Sequence, residues 1–501
     1  MEYLITLDLG TTSVKTSLFN RNLTAVTSYA EEYSLLTPAP GTYELNPNTY
    51  WNACVTGIRR ILEKSGISPD EIVSISLSTQ GETLIPIDEV GNFLSNAIVW
   101  MDMRAEEQAS VLKERISSDE FFTETGLGEI GCAIPICKLM WIKDIMPDVY
   151  DRTYKFLLLE DYIIYKFTGI MITEPTNMSS TGYFSVRHNR IWLEGLKKAG
   201  IDPEKIPRVL PCGSVVGNIL KAPAMETGLS PKTIVTLGAN DQICGAVGTN
   251  NIKVGAISET TGTALAVVST LDEMPVKNLY NVTISRHCND KLIMVAYCAT
   301  SGIVYKWFKD VFCETEINQS FLDNTDVYDR LNKLAEPVAR GADGLTVLPF
   351  FAGKLSPDYN ENARGVFYGL ELGHTKGHIA RAIMEGVAFM LREIIDATYE
   401  LSGKTDVVIS AGGGAKSPLW NQIKADVLNK EIRIASGQGA SLGAAIIGAV
   451  SNGWFRSIEE ACDASASVSD RYFPSGEAVS DYQMFYEKFL RLYKALLVVF
   501  V

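Results

Sequence analysis

The sequence predicts an α/β chain of two domains facing one cleft, and three observations carry that expectation. A strand, a hydroxyl-rich turn and a returning strand occupy residues 3 to 19, and the same device returns at 254 to 268. Between them, Thr233 to Asn250 (TIVTLGANDQICGAVGTN) runs from a β-branched strand through Gly238 to Asp241 at the head of a small-residue helix. A strand–turn–strand unit that recurs once implies two similar domains, each bringing one hairpin to a shared cleft. The length of 501 residues suits two large domains, expected at 1–249 and 250–501.

Composition removes several classes of function. Hydrophobic and charged contents of 46% and 21% are those of an ordinary globular chain. A net charge of −14 argues against a nucleic-acid or anionic-membrane surface, so an anionic ligand would need local devices and a cation. Nine scattered cysteines without a CxxC pair indicate a reduced, cytoplasmic setting. Four histidines, at 188, 287, 374 and 378, are too few and too dispersed for a zinc set; His374 and His378 lack an HExxH frame. The N-terminus has no basic leader, and no apolar run approaches the ~20 residues of a membrane span.

In chain order, Tyr3 to Leu9 is a buried strand and Val14 to Phe19 its hairpin partner. The connecting DLGTTS is followed by Lys15. Gly10 permits close backbone approach, and Thr11, Thr12 and Ser13 offer hydroxyls and amides to phosphate oxygens. Asp8, at the strand end, suits Mg²⁺ bound directly or through water. A plain polar hairpin turn is the alternative. GxxxxGK[ST] occurs nowhere. Trp51 to Ser65 is a helix ended by Gly66, and the strand Ile72 to Leu77 delivers Gln80, Gly81 and Glu82 to a strand-end loop, a usual place for ligand contacts. In Ile98 to Arg104, Trp100, Asp102 and Arg104 alternate and would share one face of an extended segment. An aromatic wall with an acid and a guanidinium suits a polyhydroxylated ligand; a surface strand with an ion pair is the alternative. Phe156 to Gly169 is expected as a core helix closed by glycine.

Asp241 lies just past a strand's carboxyl end, where open α/β sheets bind ligands, and at the positive end of a helix dipole. A helix N-cap is the competing role. Val254 to Ser258 and Ala264 to Val268 are then strands flanking the hydroxyl-rich turn Glu259 to Thr263. Asp406 to Ser410 is a strand leading to a triple glycine beside a helix, with Ser417 as N-cap and Pro418 in the first turn. Such a backbone admits a flat ring or a phosphate, although a tight turn would need the same residues. Ser441 is expected to cap the small-residue helix LGAAIIGAVSNG.

With these pieces assembled, the sequence resembles the FGGY family of carbohydrate kinases, within the actin/hexokinase/Hsp70-like (ribonuclease H-like) fold. DLGTTSVK is similar to the first phosphate motif, ETTGTALAV to the second, GANDQICGAVG to the catalytic-aspartate segment, SAGGGAKSPLWNQIKADVLN to the adenosine motif and AIVWMDMRA to the WxDxR segment. The resemblance implies ATP-dependent phosphorylation of a small-molecule sugar, with Mg²⁺. Asp241 would be the base for the attacking hydroxyl. Gln80, Gly81, Glu82, Trp100, Asp102, Arg104 and Gln242 would shape the sugar pocket with it. Thr11, Thr12, Ser13, Lys15, Gly262 and Thr263 would hold phosphates, Asp8 the metal through water, and Gly302, Gly413, Gly414 and Ser417 the adenosine. A pentulose such as xylulose is the expected acceptor, with polyol, hexulose or sugar-acid kinases as alternatives, and a non-catalytic nucleotide-binding regulator as the reading from another class. A homodimer is compatible with this assignment. The chain departs from xylulose kinases, which usually carry Gln-Met-His at the loop now occupied by Gln80-Gly81-Glu82. It departs from glycerol kinases in having Gly81 for an arginine and Ala133 near a tyrosine position.

Overall fold

The computed structural model describes residues 1–435, 439–465 and 468–500. The first sheet is built by β1 (Tyr3–Leu9), β2 (Ser13–Asn20) and β3 (Ala25–Glu32), then, after helix α1 (Pro47–Ser65), by β4 (Ile72–Thr79). Helices α2 (Pro135–Ile145) and α3 (Leu159–Thr168) precede the strands β5 (Val215–Asn218), β6 (Ile234–Thr236) and β7 (Ala239–Asn240), and α4 (Asp241–Gly248) follows. The order is β5-β6-β4-β1-β2-β3, with β7 also paired to β4. β1 runs antiparallel to β2 and parallel to β4, and β6 is parallel to β4.

The second sheet repeats this plan. It contains β8 (Ile257–Thr261), β9 (Leu265–Leu271), β10 (Thr283–Arg286) and β11 (Leu292–Cys298), followed by α5 (Gly302–Phe312) and the long α6 (Lys376–Ser402). Then come β12 (Val407–Ala411), α7 (Pro418–Leu428), β13 (Glu431–Ala435), α8 (Gly439–Ser451) and β14 (Val468–Tyr472), in the sheet order β10-β11-β9-β8-β12-β13-β14. β8 is antiparallel to β9 and parallel to β12, just as β1 is antiparallel to β2 and parallel to β4. The internal repeat is therefore one of topology. Its helices bury apolar faces on the sheets: on α6, Ile383, Val387, Leu391 and Ile394 recur at helical spacing and all lie in the core.

Three expectations shift. The segment from Phe156 is not one helix: Lys155–Leu158 forms a strand against Leu84–Ile87, and the helix starts only at Leu159, because a cross-strand partner outweighs the local apolar pattern. The strand expected from Val254 begins at Ile257, after a turn at Lys253 to Ala256 with Gly255 at φ 83°, and runs on to Thr261. Ser441 sits buried inside α8, which begins two residues earlier. α8 itself packs on the first sheet, where Leu442, Ala445, Ile446 and Ala449 join Leu4, Phe19 and Val247. Among the described residues, no helix is long and apolar enough to cross a membrane.

Candidate active site

Asp241 opens α4, but the cap of that helix is Asn240, whose Oδ1 accepts the Gln242 amide at 3.0 Å. The capping role is thus filled by a neighbour, and the Asp241 carboxylate is free to serve the cleft. Gly238 makes the approach possible, since any β-carbon there would strike the Leu77 carbonyl of β4. Burial first, and then the nearby charge of Asp8, push the Asp241 carboxyl up from 3.8 to about 6.

Asp8 is in register with Lys15 on β2 and with Ser78 on β4. Ser78 Oγ donates to its Oδ1 at 2.9 Å, and Ser441 Oγ approaches Oδ2 at 3.4 Å, which is what the hydroxyl does in place of capping α8. Burial raises the Asp8 carboxyl, opposed by Ser78, Lys15 and Ser441. The adjoining turn is closed by the Gly10 amide donating to Ser13 at 2.9 Å. Tyr33 braces it, donating from its hydroxyl to the Gly10 carbonyl at 2.5 Å and from its amide to the Thr12 carbonyl at 2.9 Å. The Gly10, Thr12 and Ser13 carbonyls are thus occupied, while the Thr11 and Thr12 amides have no protein partner among the described residues. Ser13 and Lys15 follow with half-buried side chains.

The loop after β4 faces Asp241. Gln80 is buried; its Nε2 donates to the Tyr50 hydroxyl at 3.2 Å, and its Oε1 has no partner among the described residues. Gly81 lies against Asn240 and Ser180. Glu82 adopts φ 66°, a conformation that costs a non-glycine residue of order 1–3 kcal/mol and is characteristic of ligand loops. Burial, reinforced by Asp241 and opposed by Lys138 and Ser180, pushes its carboxyl up to about 7. From the other sheet, Tyr297 on β11 completes this wall; burial and the charges of Asp241 and Glu82 push its phenol up to about 12.

Lys138 on α2, which sequence reasoning missed, is fully buried and donates to the carbonyls of Val99 at 2.9 Å and Trp100 at 3.0 Å, and to that of Glu82 at 3.4 Å. Burial lowers it to about 8. The available signal was a lone lysine in the apolar run of PICKLMWI.

The expected shared face of Trp100, Asp102 and Arg104 is not formed. The strand ends at Ile98, and the Asp102 amide turns back to the Val99 carbonyl at 3.0 Å, so alternation no longer applies. Trp100 points outward and donates from Nε1 to Thr11 Oγ1 at 2.9 Å. Asp102 is fully buried, accepting the Tyr43 amide at 2.6 Å and a bidentate pair from Arg104, both at 2.8 Å. Arg104 also reaches Glu44 at 2.8 Å and lies over the Trp141 ring. These two residues brace the loop from beneath, and Gln242 is exposed beside Asp241.

The second domain holds a cavity of ≈ 380 Å³ lined by Gly262, Thr263, Gly302, Gly413, Gly414 and Ser417, so these of the expected nucleotide positions converge, while Thr11, Thr12, Ser13 and Lys15 of the first turn do not line it. Ser417 caps α7, accepting the Trp420 amide at 3.2 Å. Gly302 brings α5 onto the second turn: a β-carbon there would lie 2.5 Å from the Gly262 carbonyl oxygen. Tyr305, Tyr328 and Trp420 supply aromatic walls that sequence reasoning had not assigned, with the Tyr305 and Trp420 rings 5.5 Å apart. Beneath them Lys424 and Glu259, both fully buried, pair at 2.7 Å and tie α7 to β8.

Comparison with known proteins agrees with this geometry. The models of the N- and C-terminal domains of the FGGY family of carbohydrate kinases match residues 3–248 and 255–452. The xylulose kinase and the gluconokinase of Bacillus subtilis (strain 168) are each 29% identical, over 98% and 99% of this chain and 97% and 96% of theirs. The crystal structure of xylulose kinase from Lactobacillus acidophilus superposes with a TM-score of 0.88 at 25% identity, covering 99% of this chain and 98% of that one. Fold, paired hairpin turns and both family models agree: the chain belongs to the FGGY family of carbohydrate kinases.

Proposed function

We propose that the protein transfers the γ-phosphate of ATP to a hydroxyl of a small neutral sugar, best a pentulose such as xylulose, with Asp241 as the base. The observation that carries this reading is the situation of Asp241. It heads α4 without capping it, and its carboxyl is raised to about 6, so it is ionised at neutral pH yet basic enough to receive a hydroxyl proton. Phosphoryl transfer asks mainly for positioning and charge neutralisation. In this reading the turn amides and hydroxyls of Thr11, Thr12 and Thr263 hold phosphates, and Gly302, Gly413, Gly414 and Ser417 hold adenosine. Gln80, Gly81 and Glu82 orient the sugar, and Trp100 links the sugar loop to the phosphate turn. Asp102 and Arg104 act by bracing that loop. Closure of the domains, divided near residue 249, would exclude water that competes with the sugar hydroxyl.

The donor set suits Mg²⁺: the Asp8 carboxylate is a hard oxygen ligand, and the field that raises Asp241, first by burial and then by the charge of Asp8, is one that a cation would offset. Asp8 would hold the ion through water, and the bound ion would neutralise charge on the phosphates. Nine unpaired cysteines and ATP as donor support a cytoplasmic location.

Chemistry favours a neutral sugar over a sugar acid. The wall around Asp241 carries Glu82 and Asp8, which would repel a substrate carboxylate, and Lys138 spends its donors on three backbone carbonyls. An ADP-release assay across pentuloses, hexuloses, polyols and sugar acids tests the assignment. A pentulose is expected to give the highest kcat/KM; preference for a sugar acid, or no stimulation by any of them, overturns it.

A further inference from the structure

The segment that delivers Asp241 is held from below by two buried acids that no cation accompanies among the described residues. Glu160, at the start of α3, and Glu174, ahead of the short helix Pro175–Met178, are both fully buried. Glu160 Oε1 accepts the Gly238 amide at 2.6 Å, and its Oε2 accepts Asn177 Nδ2 at 2.8 Å. Glu174 accepts the amides of Thr176 and Asn177, each at 2.6 Å, the Thr176 hydroxyl at 2.8 Å and the Cys212 thiol at 2.8 Å. Thr176 Oγ1 in turn accepts the Asn240 amide at 2.8 Å. Two of the three peptide N–H groups leading into Asp241, at Gly238 and Asn240, therefore end on this network.

Burying two carboxylates without a cation is costly, since an isolated buried charge loses its hydration. Burial raises both acids, and the nearby charges of Glu174 and Asp161 raise Glu160 further, while hydrogen bonds from Cys212, Asn177 and Thr176 oppose the rise of Glu174. A strand end could satisfy two amides far more cheaply with carbonyl acceptors. What these carboxyl groups add is two acceptor oxygens apiece, holding several donors at once at 2.6–2.8 Å and so fixing them in place.

We propose that Glu160, and Glu174 acting through Thr176 and Asn177, are positioning residues that hold the Asp241 carboxylate where it can receive the proton of the attacking hydroxyl; this rests on the kinase reading of Asp241. Neither acid touches the reacting atoms, so the effect is on kcat. The test uses Thr176→Val, which removes the acceptor for the Asn240 amide at nearly constant volume, Thr176→Ser, which restores it, and Glu160→Gln. Misplacement near 1 Å costs on the order of 10²-fold, so Thr176→Val and Glu160→Gln are expected to lose about 10- to 100-fold in kcat. KM for sugar and for ATP should move less than about threefold, and Thr176→Ser should recover most of kcat. Hydrogen exchange provides a readout independent of turnover: the amides of 238 to 240 should lose protection in Thr176→Val and Glu160→Gln while β1 and β4 keep theirs. Unchanged kcat, a loss confined to KM, or unchanged protection at 238 to 240 overturns the proposal. If no sugar accelerates ATP turnover by the unmodified protein, the kinase reading falls, and intact protection in Thr176→Val would separately refute the clamp.

Discussion

Replacing Asp241 by asparagine should abolish activity and stabilise the protein at once. The folded carboxyl titrates near 6 instead of 3.8, so the folded protein holds this proton more tightly than the unfolded chain does. Stability therefore falls as pH rises from 3.8 to about 6, and the whole cost is present above that. At about 1.36 kcal/mol per pH unit the gap amounts to roughly 3 kcal/mol. The side chain is only half-buried in an open cleft, which discounts this to roughly 1–2 kcal/mol. Asparagine keeps the shape and removes the charge. At roughly 2–4 °C per kcal/mol for domains of this size, thermal melts of the ligand-free protein at pH 7.5 should shift upward by several degrees. Near pH 4, where the carboxyl is protonated, the gain should shrink towards zero. Over the same substitution kcat should fall about 10²- to 10⁴-fold, the usual contribution of a general base. Refutation would be a variant less stable at pH 7.5, a gain equal at both pH values, or turnover close to that of the parent.

Three further outcomes follow from named contacts. Sugar-stimulated kcat/KM should rise with pH through about 6 as Asp241 loses its proton, measured as a pH–rate profile. Gly302→Ala forces a methyl against the Gly262 carbonyl; at about 1–3 kcal/mol for such overpacking, ATP should bind about 5- to 150-fold more weakly by calorimetry, with sugar binding unaffected. Lys424→Met leaves the Glu259 carboxylate buried without its cation, held only by the Thr261 and Ser410 hydroxyls, which should destabilise by about 3–5 kcal/mol in urea melts, and adding Glu259→Gln should recover most of it.

Much of the site was legible because it is built from short stretches whose local chemistry and backbone needs coincide. The turn at Gly10 to Ser13, the Ser417 cap with Pro418 in the first turn, and the glycines at 413 and 414 are all found where the sequence predicts them. Asp241 was legible as the head of a helix beyond a strand end, though not as a residue relieved of capping by Asn240. The alternation of Trp100, Asp102 and Arg104 misled, because periodicity describes a strand only while a partner strand continues, and that pairing stops at Ile98.

By itself, then, the sequence determined the α/β class, the repeated strand–turn–strand hairpins, the family and the acid at their centre. Each of these rests on interactions within a few residues, where spacing along the chain is spacing in space. Tertiary structure alone decided the rest. Ser441 reaches Asp8 from 433 residues away. Lys138 stitches the loops at 82 and 99–100, Tyr33 braces the turn at Gly10 to Ser13, and Glu160 and Glu174 grip the segment before Asp241. These contacts are made by buried polar groups with distant partners. No local pattern encodes them, because the cost of burying a charge is set by whichever donors the finished fold brings to it.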